Sequence, residues 1–296
     1  MISWHKYFVY LSLFFLAVFL FKTDYLKIPA VISPQYLILS FLFLFSGFIG
    51  NAFSWHRLLK ASKNPVSIKV CISSVGLSIF GKYIPGKFWL IMGRAAHVAE
   101  NSAYSLGRVS ALSLNAQFIS LWFGLVLGTF GLFILGGLYL WGWIILVLWL
   151  VLTAVVFSSF FNNAGEKFLS FILKKEIAIP KLTLMETITV APWFAISWLL
   201  WAAGFYFFVC ALSLSGMPIS VGLGFPLAGT LGIMAVFAPG GLGAREGVAA
   251  AYLCLAGLGL QEATTIAVAS RAWFLSGEAF IFLLGWFSKK AHRKIQ

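Results

Sequence analysis

Two short stretches of this chain place positive charge beside residues that break helices, and both sit inside otherwise apolar sequence. The second stretch reads Ala238-Pro239-Gly240-Gly241-Leu242-Gly243-Ala244-Arg245-Glu246. Pro239 removes a backbone donor, and Gly240, Gly241 and Gly243 permit positive φ and close backbone approach. A helix beginning near Ala244 would expose free N–H groups and its positive dipole end, with Arg245 standing there. Glycines, a helix N-terminus and a guanidinium together make a cradle for an anion such as phosphate. The same glycines would equally serve a break that only lets helices pack. The first stretch is Gly81-Lys82-Tyr83-Ile84-Pro85-Gly86-Lys87, where Pro85 and Gly86 form the break and Lys82 and Lys87 flank it. These lysines either snorkel to the interface or form a basic vestibule for an anionic headgroup.

An arginine at membrane depth costs about 2.5–3.5 kcal/mol on insertion scales, so Arg245 needs compensation. Glu246 is its neighbour in sequence and points roughly 100° away on a helix. Arg271 and Glu278 share one face of the last apolar run, but seven residues put them roughly 10.5 Å apart along the axis. Cross-pairing is the economical solution: Arg245 with Glu278, or Arg271 with Glu246.

Other chemistries find no footing. Asp24 is the single aspartate, so no DxD exists for a metal-bound sugar nucleotide. His5, His56, His97 and His292 lack metal-ligand spacing, which leaves no metal site and no cofactor to assign. Cys71, Cys210 and Cys254 lie in apolar segments without a CxxC and read as small buried hydrophobes. No phosphate-binding GxxxxGK[ST] occurs, and Gly241-Leu242-Gly243 lacks the GxGxxG spacing. No nucleophile–base pair can be assembled.

The elements that carry these stretches are membrane spans. Of 296 residues, 61% are apolar and only 10% charged, where a soluble domain has roughly 25% charged residues. So few polar side chains cannot clothe a water-exposed surface. Lys and Arg number 21 against 8 Asp and Glu; lying between apolar runs, they orient the chain toward anionic lipid rather than nucleic acid. A helix needs about 20 apolar residues to cross. Runs occur at Tyr7–Phe21, Tyr36–Trp55, Val109–Leu135, Trp141–Phe161, Ile188–Leu214 and Thr264–Phe287. The first lacks a cleavage site after it and counts as a span.

The fold class expected is therefore all-α, a polytopic helical membrane protein with about six full spans and two Pro/Gly-broken segments. Residues 1–288 form one transmembrane domain, and residues 289–296 a basic cytoplasmic tail. If Val70–Met92 re-enters without crossing, Arg57, Lys60, Lys63, Lys69, Arg94, Arg108, Lys167, Lys174, Lys175, Lys181, Lys289 and Lys290 fall on one side. The positive-inside rule then makes both termini cytoplasmic in the inner membrane. Leu223–Leu260 is either re-entrant or a tight two-span hairpin. Broken segments opening from opposite sides form the pattern of an inverted repeat, with a substrate site near mid-membrane. Arg94–Arg108 reads as an amphipathic helix at the cytoplasmic interface.

Gly81–Trp89 and Ala238–Gly247, the latter PGGxGxREG-like, resemble the two signature stretches of the lysylphosphatidylglycerol synthase transmembrane (flippase-like) family. The resemblance extends over nearly the whole chain in size and segment layout. It implies a module that binds or translocates an anionic phospholipid or a polyprenyl-phosphate-linked lipid. In the best-known members a soluble aminoacyl-transferase domain follows; this chain ends at Gln296 without one, so synthase activity is not carried over. Stand-alone relatives occur in envelope-polysaccharide contexts, which makes an envelope glycosyltransferase a conceivable protein partner. Two alternatives stand beside translocation: a lipid-linked glycosyl- or other transferase using Glu246 or Glu278 as base, and a non-catalytic partner of an envelope-polysaccharide synthase.

Overall fold

The structure, a computed structural model, describes residues 30–84, 88–136, 140–157, 184–213, 216–235 and 238–293. The expected span Tyr7–Phe21, the Lys167–Lys181 loop, and Pro85, Gly86 and Lys87 lie outside the described residues. All regular structure among the described residues is helical.

Among the described residues, four helices are long and apolar enough to cross a membrane: α1 (Pro34–Ala61), α4 (Leu106–Ile134), α6 (Leu184–Leu212) and α9 (Leu260–Arg293). The protein is thus a multi-pass membrane protein. Between them lie two pairs of short helices. The first pair is α2 (Ile68–Ser78), prolonged by a 3-10 turn at Ile79–Tyr83, and α3 (Phe88–Glu100). The second is α7 (Gly224–Met234), preceded by a 3-10 turn at Ile219–Leu223, and α8 (Ala244–Leu255). A further helix, α5 (Leu140–Phe157), packs on α4, where Trp122 Nε1 donates to Thr153 Oγ1 at 2.8 Å.

Both pairs are re-entrant. In the first, the loop after α3 returns to the start of α2, with Tyr104 Oη donating to the Pro65 carbonyl at 3.5 Å. In the second, Tyr252 near the end of α8 donates to the Ser220 carbonyl at 2.8 Å, beside the start of α7. Each pair turns back at the middle of a long helix. Lys82 and Tyr83 stand level with Arg271 and Glu278 of α9, and α7 descends along α4 from Gly131 through Gly128 to Gly124. The alternative of two full crossings within Leu223–Leu260 does not hold.

The expected inverted repeat is visible in the pairing. Each half runs long helix, short pair, long helix, and the halves exchange partners: α2 packs on α9 while α7 packs on α4. The leading helices α1 and α6 form the largest contact and run antiparallel. Ile32 meets Ala211, Gly47 meets Trp201, and Ser54 meets Ser197. The halves are therefore inverted relative to each other. Glycine lets these helices approach closely, as van der Waals packing between apolar helices requires. A Cβ on Gly76 of α2 would run into the Ile281 carbonyl and stand 3.1 Å from the Gly285 Cα of α9.

Chain pairing gathers Arg57, Lys60, Lys69, Arg108 and Lys289 toward one end of the bundle: α1 ends and α2 begins there, α4 starts there, and α9 finishes beside α2. One expectation is overturned. Arg94 is no interfacial anchor, because α3 extends from Phe88 to Glu100 as the returning leg of the first pair and buries Arg94, Ala95, His97 and Val98. Arg94 and His97 face inward because the leg packs against α2 and α4, while Glu100, Asn101 and Arg108 at and beyond its end stay exposed.

Gly76→Val should wedge α2 from α9 and cost about 1–3 kcal/mol, lowering the thermal midpoint in detergent by tryptophan fluorescence. Gly247→Ala, where a Cβ meets nothing within 4 Å, should leave the midpoint unchanged or slightly raised.

Candidate functional site

The second break has the backbone that its glycines suggested. Gly240, Gly241 and Gly243 adopt φ of 61°, 78° and 74°, values that other residues reach only with strain. They play different parts. Gly243 caps α8, and its side faces open space. Gly241 presses on α7, where a Cβ would lie 2.8 Å from the Gly232 carbonyl oxygen. Gly240 is where the two breaks meet. A Cβ there would stand 2.7 Å from Tyr83 Cε1 and 2.6 Å from an Arg271 guanidinium nitrogen.

Around that contact lies a buried charge cluster. Arg245 is 7% exposed, Glu246 8%, Arg271 2% and Glu278 0%. Glu278 is taken by the first break rather than by Arg245: Lys82 Nζ forms an ion pair with one carboxylate oxygen, and Tyr83 Oη donates to the other at 2.8 Å. Arg271 stands 3.9 Å from Glu246, the second of the two cross-pairings expected. Tyr83 joins these groups, since the Arg271 guanidinium lies 5.3 Å from its ring centroid. Arg271 and Glu278, too far apart to pair along α9, are thus bridged by a side chain of the opposite half.

Arg245 is held differently. Its guanidinium carbon sits 4.7 Å from the Phe225 ring centroid and 4.4 Å from that of Phe274. One of its nitrogens is buried without a hydrogen-bond partner. Ring quadrupoles attract a cation but leave its charge in place. Gly232 makes room for this arrangement, because a Cβ there would be 2.9 Å from Arg245 Cβ.

Lys82, Gly240 and Arg245 line a cavity of about 180 Å³ in the centre of the bundle. Its wall takes Phe48 and Asn51 from α1, Ser78 from α2, Gln117 and Ser120 from α4, and Trp198 and Trp201 from α6. Arg94 lines it too, its Nε donating to Ser113 Oγ at 3.0 Å and a terminal nitrogen to the Ser113 carbonyl at 2.7 Å. Arg94 also lies 4.6 Å from the Trp55 ring centroid. Glu246 and Glu278 are not on the wall. Of the residues singled out in the sequence, the structure brings Lys82, Gly240 and Arg245 to the hollow. It places Glu246, Arg271 and Glu278 behind them and uses Gly241 and Gly243 for packing and capping. Pro239 opens the 3-10 turn that carries Gly240; Pro85, Gly86 and Lys87 lie outside the described residues. Sequence reasoning missed Arg94, Tyr83, Asn51 and Gln117. The polar Asn51 and Gln117 inside apolar runs were the available signal. Among the described residues, no cluster of His, Cys, Asp and Glu could hold a metal ion.

A family model described as "Lysylphosphatidylglycerol synthase TM region" matches residues 7–284. No curated protein and no solved structure matches the chain.

Removing one partner of a buried ion pair leaves the other charge uncompensated, at a cost of roughly 3–5 kcal/mol. Glu278→Gln should therefore destabilise the protein strongly. The double variant Lys82→Met with Glu278→Gln should recover a large part of that loss in a double-mutant cycle of thermal or denaturant unfolding.

Proposed function

The chain belongs to the lysylphosphatidylglycerol synthase TM region family, and from that premise we propose that it binds a phosphate-bearing lipid, or a lipid-linked glycan, in the central cavity and moves the headgroup between leaflets. The observation that carries this reading is Arg245, buried on the cavity wall between two aromatic rings with a donor left unpaired. An unsatisfied guanidinium donor in an apolar surrounding is costly, and a phosphate oxygen is the group that would satisfy it.

The chain's own residues divide the work. Arg245 grips the phosphate, with the Gly240 backbone close by. Lys82, whose side chain is 17% exposed, receives the headgroup and exchanges its hold on Glu278 for the incoming anion. Lys87 would recruit the lipid from the cytoplasmic leaflet. Glu246, Arg271 and Glu278 balance charge behind the site. Halves inverted about a shared centre allow the cavity to face either side by rocking of one against the other. The basic end of the bundle supports a location in the inner membrane with that end, and both termini, in the cytoplasm.

A transferase would need a carboxylate base at the reacting group, but Glu278 is held by Lys82 and Tyr83, Glu246 stands 3.9 Å from Arg271, and neither is on the cavity wall. This favours a non-enzymatic role. An envelope glycosyltransferase that supplies or consumes the lipid fits as a partner.

Reconstituted into liposomes with a fluorescent short-chain phospholipid, the protein should accelerate exchange between leaflets as read by dithionite quenching. Arg245→Ala, with its fold verified by unfolding and gel filtration, should lose roughly tenfold or more of that rate, since a charged hydrogen bond contributes about 1.5–3 kcal/mol. Unchanged exchange in the folded variant would remove the basis for translocation.

A further inference from the structure

The charge count on the cavity specifies the guest more narrowly. Buried at the centre are Arg94, Arg245, Arg271, Glu246 and Glu278, and Lys82 joins them through its pair with Glu278. Among the described residues four cations thus face two carboxylates, leaving an excess of two positive charges. Glu278 answers Lys82, and Glu246 stands nearest Arg271. The two arginines left over are Arg245 and Arg94, and both line the cavity.

Among the described residues neither is within ion-pair distance of a carboxylate, and neutral groups orient each. Arg94 has the hydroxyl and carbonyl of Ser113 and the face of Trp55, itself fixed by a hydrogen bond from Nε1 to Ser74 Oγ at 3.2 Å. Arg245 has the faces of Phe225 and Phe274. They stand on different elements, Arg94 on the first re-entrant pair and Arg245 on the second. Each half of the protein therefore contributes one uncompensated guanidinium to the same hollow.

From this we infer that the guest is a lipid whose headgroup carries two negative charges, a phosphate monoester or a diphosphate, with Arg94 as the second anchor opposite Arg245. A phosphodiester carries one charge and leaves one guanidinium unanswered; a zwitterionic headgroup adds a cation to a site already rich in them. A monoester carries about −1.5 to −2 at neutral pH, its second pKa being about 6. The inference rests on the lipid-binding reading above and narrows it to one class of headgroup.

The test compares headgroups on identical tails. Purified protein in detergent at pH 8 is titrated calorimetrically with dihexanoyl phosphatidic acid, dihexanoyl phosphatidylglycerol and inorganic phosphate. Phosphatidic acid should bind about tenfold or more tightly than phosphatidylglycerol, and inorganic phosphate more weakly than phosphatidic acid. Arg94→Gln should bring the two lipids within about threefold of each other, mainly by weakening phosphatidic acid, while Arg94→Lys keeps the preference. Equal affinities for the two lipids in the unaltered protein would overturn the inference and leave lipid binding standing; this comparison decides even if Arg94→Gln does not fold. A preference that survives in folded Arg94→Gln would overturn the role of Arg94. Inorganic phosphate binding as tightly as phosphatidic acid would overturn a lipid guest, and no binding by either lipid would overturn the lipid reading itself.

Discussion

Guanidinium groups carried to the middle of an apolar bundle need a reason to stay there, because low dielectric magnifies the cost of every unbalanced charge. Among the described residues, four buried cations and two carboxylates gather where the two helix breaks touch and on the cavity beside them. The ion pairs account for part of the charge. Aromatic faces hold the rest in position without cancelling it. A cluster built only to tie helices together would be closest to balance; this one leaves an excess facing a cavity.

The folding problem posed by that cluster is solved by symmetry. Two re-entrant pairs, each too short to cross after turning back, bring their broken ends to one level, and each leans on the long helix of the other half. Irregular backbone at membrane depth survives only when enclosed by protein or bordering a wet cavity. The first condition is met where Gly240 lies on Tyr83, at the edge of the cavity. Arg94 on the first pair and Arg245 on the second both line the one hollow. Glycines at Gly76, Gly124, Gly128 and Gly232 set how closely the elements approach. Fold and site thus depend on the same small residues.

Much of this was legible in the sequence where local chemistry was decisive. Pro239 with three glycines announced a break, and all three glycines take left-handed backbone. Lys82, Arg245, Arg271, Glu246 and Glu278 stood out as charges inside apolar runs and do gather at the centre. Pairing was less legible, because which carboxylate meets which cation depends on how the halves interlock. Glu278 could have reached Arg245 as readily on paper, yet Lys82 and Tyr83 arrive first from the opposite half. Arg94 was misplaced for a related reason. His97, Glu100 and Asn101 beside it give the stretch the polarity of an interfacial helix; Glu100 and Asn101 are indeed exposed, but burial against α2 and α4 turns Arg94 and His97 inward. Local pattern reports that a face is polar; tertiary packing decides whether water or a cavity lies against it.

The central claim, that paired helix breaks present uncompensated positive charge to a lipid phosphate, is tested most directly by native mass spectrometry of the protein released from mild detergent. The account predicts a stoichiometric phosphate-bearing lipid retained by the unaltered protein, enriched far beyond its share of the membrane and lost when Arg245 is replaced by alanine. Retention of bulk lipids in their bulk proportions, the same with and without Arg245, would contradict it.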